Sequence, residues 1–166
     1  MQPFPIATNM RLTRFSDIGL RVLIYLAHAS EQQAPATVAE IAGQFDIPLN
    51  HLVKVVARLA RVGWIHAMRG RNGGLLLRAD ATTLHVGTVL RELEGDAELV
   101  DCEGQSCQLS QNCVLRSALA AGLRAFYTAM DQYTLADVAG GAVGEQIIVM
   151  HRNFLSASAH SKKTAT

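Results

Sequence analysis

From Thr13 the apolar residues Ile18, Leu20, Val22, Leu23, Leu26 and Ala27 fall at helical spacing, and Thr13 or Ser16 can cap the start. The polar run 31–33 and Pro35 interrupt it. Thr37 then opens a second helix, 38 to about 45, with Glu40 placed to complete a capping box. In the Asp-Ile-Pro connection at 46–48, Pro48 disfavours helix at Ile47 and pre-sets the first turn of a third helix, about 49 to 62. That helix turns Leu52, Val55, Val56 and Leu59 inward and Asn50, His51, Lys54, Arg58 and Arg61 outward, and Gly63 closes it. Two apolar runs, 64–69 and 75–78, flank the Gly- and Asn-rich turn 70–74 and predict a hairpin. A fourth helix spans 86–94 and ends at Gly95. Further on, Leu115, Leu119, Leu123, Phe126, Met130 and Tyr133 recur every three or four residues, the seam of a long amphipathic helix. Beyond about Val138 the Ala/Gly/Ser-rich sequence shows no readable fold; the stretch 147–150 is suited to docking, and the rest reads as a tail.

The resulting fold class is mainly α with a small β-hairpin: a winged helix-turn-helix plus a long dimerisation helix. The expected division is a disordered leader at 1–9, the winged helix-turn-helix at 10–80, a loop and dimerisation helix at 81–138, and a tail at 139–166. A hairpin directly after a helix-turn-helix is a wing. Its Arg69 and Arg71 are placed for phosphates, Asn72 shares the tip, and Gly73 with its glycine neighbours lets backbone amides approach the duplex. Lys54 and Arg58 add phosphate contacts, and Asn50 and His51 are the candidates for base edges.

Composition narrows this only in places. A chain of 166 residues with 49% hydrophobic content suits one compact domain, or a small domain with an assembly element. Its net charge is +1, so affinity for DNA must come from a local patch rather than from a basic chain. No apolar run is long enough for a membrane span, and the first nine residues do not resemble a signal peptide, so a cytoplasmic location is expected. Met10 is a candidate for the natural start. With no Cys-x-x-Cys pair and no Ser-His-Asp or paired-carboxylate arrangement, an enzyme is not expected.

All three cysteines, Cys102, Cys107 and Cys113, lie in one short polar stretch. Structural zinc usually takes four ligands in two close pairs, and a disulfide framework wants an even number. Three thiolates with one non-cysteine ligand suit an iron–sulfur cluster, because iron accepts nitrogen or oxygen at one corner. Three unrelated reduced thiols, or a thiol- or zinc-based redox switch on the same winged-helix protein, remain open at this point.

Five blocks then occur in a telling order: Met-Arg-Leu-Thr-Arg-Phe-Ser-Asp at 10–17, Ile-Pro at 47–48, Gly-Arg-Asn-Gly-Gly at 70–74, Arg-Glu-Leu-Glu-Gly at 91–95 and Val-Asp-Cys at 100–102. Over roughly 10–138 the chain resembles the Rrf-type winged-helix repressors, and within them the branch that senses nitric oxide. The resemblance implies a homodimer bound to double-stranded operator DNA, with one [4Fe-4S] cluster per subunit whose nitrosylation releases the DNA. It also implies a fourth ligand, Asp17 of the partner subunit, beside the three cysteines. A carboxylate is a hard and readily displaced ligand for iron, and Arg21, one turn on, can orient it. A sister branch that regulates cluster biogenesis carries a histidine three residues after its last cysteine. Here Arg116 stands there, which argues against a histidine-ligated [2Fe-2S] centre. His85 is the nearest competing donor in sequence, and its expected role is that of a cap or a surface group.

Overall fold

In a computed structural model of the chain, one helix, α1 (Arg14–Ala29), packs against most of the others. The structure describes residues 12–29, 35–70, 73–95, 99–100, 102, 107–109 and 112–163, with side chains described as far as 158. The expected leader at 1–9, the start at Met10, and the wing-tip residues Arg71 and Asn72 lie outside the described residues.

Thr13 is the residue that caps α1: its hydroxyl oxygen accepts from the Ser16 amide at 3.2 Å. Buried Ile18, Val22, Leu23, Tyr25 and Leu26 spread around the helix rather than along one stripe. That breadth is what a central helix needs, and α1 meets a third helix, a strand and the last two helices of the chain. The second helix, α2 (Val38–Gln44), starts in the expected capping box, with Thr37 and Glu40 each bonded to the other's backbone. Asp46 then takes a left-handed backbone (φ 50°) to turn the chain sharply. Pro48 sits at the N-cap of α3 (Leu49–Val62), one place ahead of its first helical residue. Leu52, Val55, Val56 and Leu59 are buried, and Gly63 closes the helix at φ 89°.

Strands β1 (Ile65–Met68) and β2 (Gly74–Leu77) pair antiparallel, Ile65 opposite Leu77 and Met68 opposite Gly74. Ala36 adds a short bridge to Leu75, which ties the chain ahead of α2 to the hairpin. A Cβ on Gly74 would sit 2.9 Å from the Ala36 carbonyl oxygen, so glycine permits that approach. The hairpin is thereby locked to the helix-turn-helix, as a wing must be.

Helix α4 (Val86–Glu94) ends at Gly95, and α5 (Val114–Met130) follows the cysteine stretch. No residue of α5 is buried. The segment expected to be a tail is instead helical. α6 (Leu135–Ala139) opens in a second capping box, Thr134 with Asp137, and α7 (Gly141–Lys163) runs back along α1. Among the residues of α7 whose side chains are described, Gly144, Ile147 and His151 are buried, spaced three and four apart. The pattern is helical, but two of its three members are not large apolar residues, so hydrophobic periodicity does not show it. The suggestion that 147–150 docks agrees with the burial of Ile147.

Candidate DNA interface and cysteine loop

The outward face of α3 carries the side chains expected there. Asn50, His51, Lys54 and Arg61 are exposed, and the face holds no carboxylate of its own. The Asn50 side-chain oxygen accepts from the His51 amide at 3.0 Å, which holds the start of the helix in place. Arg58 is only partly exposed, because its guanidinium pairs with Glu92 of α4 at 2.5 Å. On the hairpin Arg69 is exposed, and the Gly73 amide donates to the Gly70 carbonyl. Helix α3 and β1 are in contact, so the hairpin packs directly against the helix that carries the polar and basic face.

Cys102, Cys107 and Cys113 are all partly exposed, and no disulfide joins them. The Cys107 amide donates to the Cys102 carbonyl at 3.1 Å, bringing those two backbones together. Cys113 occupies the N-cap of α5, at the positive end of that helix. Next to them a groove of about 320 Å³ runs between the end of α4 and α5, lined by Gly95, Leu99, Val100, Arg116 and Leu119 among others. Among the described residues no three Cys, His, Asp or Glu side chains converge as a metal site would require. The donor chemistry nevertheless fits an iron–sulfur centre: three soft thiol ligands on one loop, none of them committed to a disulfide.

Asp17 and Arg21 lie on one face of α1, with the Arg21 Nε donating to the Asp17 carboxylate at 2.9 Å. Both side chains are about half exposed, and the Arg21 guanidinium also lies over the Phe45 ring at 6.0 Å. Asp17 is thus held in place by Arg21 and partly exposed to solvent. His85 occupies the N-cap position of α4, but its side chain does not cap that helix: its Nδ1 lies 2.7 Å from the Asp131 carbonyl oxygen and ties α4 to the end of α5.

Sequence reasoning missed two features. The last turn of α4, immediately before the cysteine stretch, is bonded in three directions. Arg91 makes a two-pronged pair with Asp131 just past α5 and stacks over Tyr127 at 5.1 Å. Glu92 holds Arg58 of the recognition helix, and Glu94 accepts from the Thr13 amide at the start of α1 at 2.8 Å. The hydrogen bonds from Arg91 hold the Asp131 carboxyl below its ordinary range. A Cβ on Gly87 would fall 2.6 Å from the Tyr127 carbonyl oxygen, so α4 and α5 approach this closely only through glycine. The run 91–95 stood out in the sequence as a block, but its partners lie tens of residues away. The second feature is a polar cluster in the core. Tyr25 donates to the Glu40 carboxylate at 2.7 Å, and the His151 Nδ1 lies 2.5 Å from the same oxygen. All three side chains are buried. Glu40 was legible only as a capping-box residue.

A helix-turn-helix with a basic outward face and an antiparallel wing locked beside it defines a DNA-binding transcriptional regulator, not an enzyme. A model of the Rrf2 family, iron-dependent transcriptional regulators, matches residues 12–141, and the chain belongs to that family. Solved structures agree in fold. CymR (YrzC), the global cysteine regulator of B. subtilis, matches at 22% identity over 79% of this chain and 97% of its own, with a TM-score of 0.59. The oxidized form of Staphylococcus aureus CymR matches at 25% identity over 80% and 98%, TM-score 0.63. T. potens IscR matches at 22% identity over 80% and 88%, TM-score 0.61. No helix among the described residues is long and apolar enough to cross a membrane.

Proposed function

We propose that the protein is a homodimeric repressor that senses nitric oxide through a [4Fe-4S] cluster, in the manner of the repressor NsrR that its motifs resemble. The observation that carries this reading is the placement of the three-cysteine loop. It lies between the last turn of α4, bonded to the recognition helix and to α1, and the unburied helix α5. Cys102, Cys107 and Cys113 would hold the cluster, with Asp17 of the partner subunit at the fourth corner. The bound cluster supplies the iron at which nitric oxide reacts. Arg116, in place of a histidine, supports the carboxylate over a histidine-ligated [2Fe-2S] centre.

The chain's own residues carry the remainder. The apolar seam of α5 receives the second subunit, with Leu115 63% exposed in the single chain. Arg21 keeps the Asp17 carboxylate pointed outward. A dimer fixed at α5 and bridged at Asp17 holds two recognition helices at the spacing of successive major grooves, about 34–36 Å. Loss of the bridge lets that spacing relax and the operator go. Lys54, Arg69 and Arg71 supply salt-dependent phosphate affinity, Arg58 joins them only when its pair with Glu92 opens, Asn72 and the Gly73 backbone add contacts from the wing, and Asn50 with His51 reads base edges.

Anaerobic purification with iron and sulfide counts tests the loop. Brown protein with about four irons and four sulfides per subunit is expected, and Cys→Ser at 102, 107 or 113 should abolish the colour without unfolding the winged helix. Colourless protein with zinc, or with a disulfide between two of the cysteines, would replace this reading with a thiol- or zinc-based redox-responsive repressor.

A further inference from the structure

The recognition helix presents two large apolar side chains to solvent. Leu49 is 53% and Val53 51% exposed, and they stand one turn apart. Neither belongs to the hydrophobic core or to the partly buried residues packed against it. An exposed valine elsewhere would need no explanation. Here its position matters. Val53 lies between Asn50 and Ala57, both exposed, next to Lys54, on the flank of the helix that borders buried Val56 and stands opposite buried Val55. The surrounding face carries Lys54 and Arg61 and no carboxylate, so its charge suits a polyanion and not an apolar protein surface. Ala57, a turn further along, is small enough for that part of the helix to approach a groove floor closely.

The apolar group that base edges offer in the major groove is the 5-methyl of thymine. We propose that Val53 is a specificity-determining residue that packs its two methyl groups on one thymine 5-methyl, with Leu49 extending the apolar strip toward the sugar edge. The match has a low entropic cost, because a β-branched side chain in a helix is held close to one rotamer. Asn50 and His51 read hydrogen-bonding edges; Val53 reads what hydrogen bonding does not, thymine against uracil. The inference rests on the DNA-binding class alone and would survive failure of the nitric-oxide reading.

The test uses the full-length protein in its DNA-binding state. A preferred duplex is first selected from a random-sequence library. Each thymine is then replaced singly by deoxyuridine, which removes one methyl and nothing else. At one thymine per half-site, wild type should bind about three- to fivefold more weakly to the uracil duplex, the cost of one unburied methyl. Val53→Ala should bind the parent duplex with that same weakening and be indifferent to the uracil swap at that base, while Val53→Thr, which keeps one methyl, should fall between. A Lys54→Ala control should weaken both duplexes alike and keep the uracil effect. If Val53→Ala shows the wild-type uracil penalty at every thymine, or equals wild type on the parent duplex, the assignment is wrong, and in the second case the strip is left to a protein partner. Loss of all DNA binding by both Val53 variants would also overturn it, since that outcome makes Val53 part of the scaffold.

Discussion

Glu40 does two jobs from a fully buried position. One carboxylate oxygen accepts from the Thr37 amide and completes the box that starts α2; the other takes the Tyr25 hydroxyl and the His151 ring. A carboxylate out of reach of water is tolerable only when so many donors meet it, and removing one partner of such a group is far more costly than removing a surface pair. His151→Ala should therefore destabilise the fold by about 3–5 kcal/mol in denaturant unfolding. A loss under about 1 kcal/mol would show that the cluster tolerates solvent. Tyr25 supplies a pH prediction. Burial first, then its bond to Glu40, raises its hydroxyl far above the ordinary 10.0. The folded state thus keeps a proton that the unfolded chain releases. This contribution is fully present below pH 10 and is lost as the pH rises beyond it. Thermal stability should fall more steeply above pH 10 in wild type than in Tyr25→Phe; parallel curves would contradict the assignment. The capping box was legible in the sequence but the buried cluster was not, because Tyr25, Glu40 and His151 each fit an ordinary helical position and meet only through the fold.

Whether an element was legible depended on which residues carry its contacts. Helices α1 to α5 and the hairpin bury, or stripe, large aliphatic side chains at regular spacing, and Thr13, Thr37, Gly63 and Gly95 close helix ends where the sequence places them. Helix α7 docks through Gly144 against His28, through Ile147 and through His151, a contact set that hydropathy cannot separate from a tail. The recognition face was read directly from its polar residues, but the Glu92 pairing of Arg58 was not, since nothing in a linear pattern links two helices across 34 residues. That pair is partly exposed and worth at most about 1 kcal/mol to the fold. Its effect should appear in DNA binding instead. Glu92→Ala removes a negative charge and releases Arg58 to phosphate, so non-specific affinity should rise severalfold and the salt slope should steepen by about one. The melting temperature should hardly move. Unchanged affinity and slope would mean that Arg58 already reaches phosphate while paired.

For the molecule as a whole, the sequence shows a helix with an apolar seam and three thiols, but not how two copies would meet. The dimer reading accounts for a 17-residue helix with no buried residue and with Leu115, Phe126 and the following Tyr133 exposed. Leu115→Asp should leave the melting transition intact and yield a monomer by sedimentation, with operator affinity down at least a hundredfold as the two half-sites uncouple. A dimer of undiminished stability would place the interface elsewhere. In the proposed dimer the cysteine loop of one subunit would meet Asp17 of the partner subunit. The most direct test follows operator occupancy during stepwise addition of nitric oxide to the anaerobic, iron-loaded dimer. The account predicts that DNA affinity falls in step with loss of the cluster's visible absorbance, and that Asp17→Ala weakens this link while leaving the winged helix folded. Full operator affinity after the absorbance has been completely bleached would contradict it.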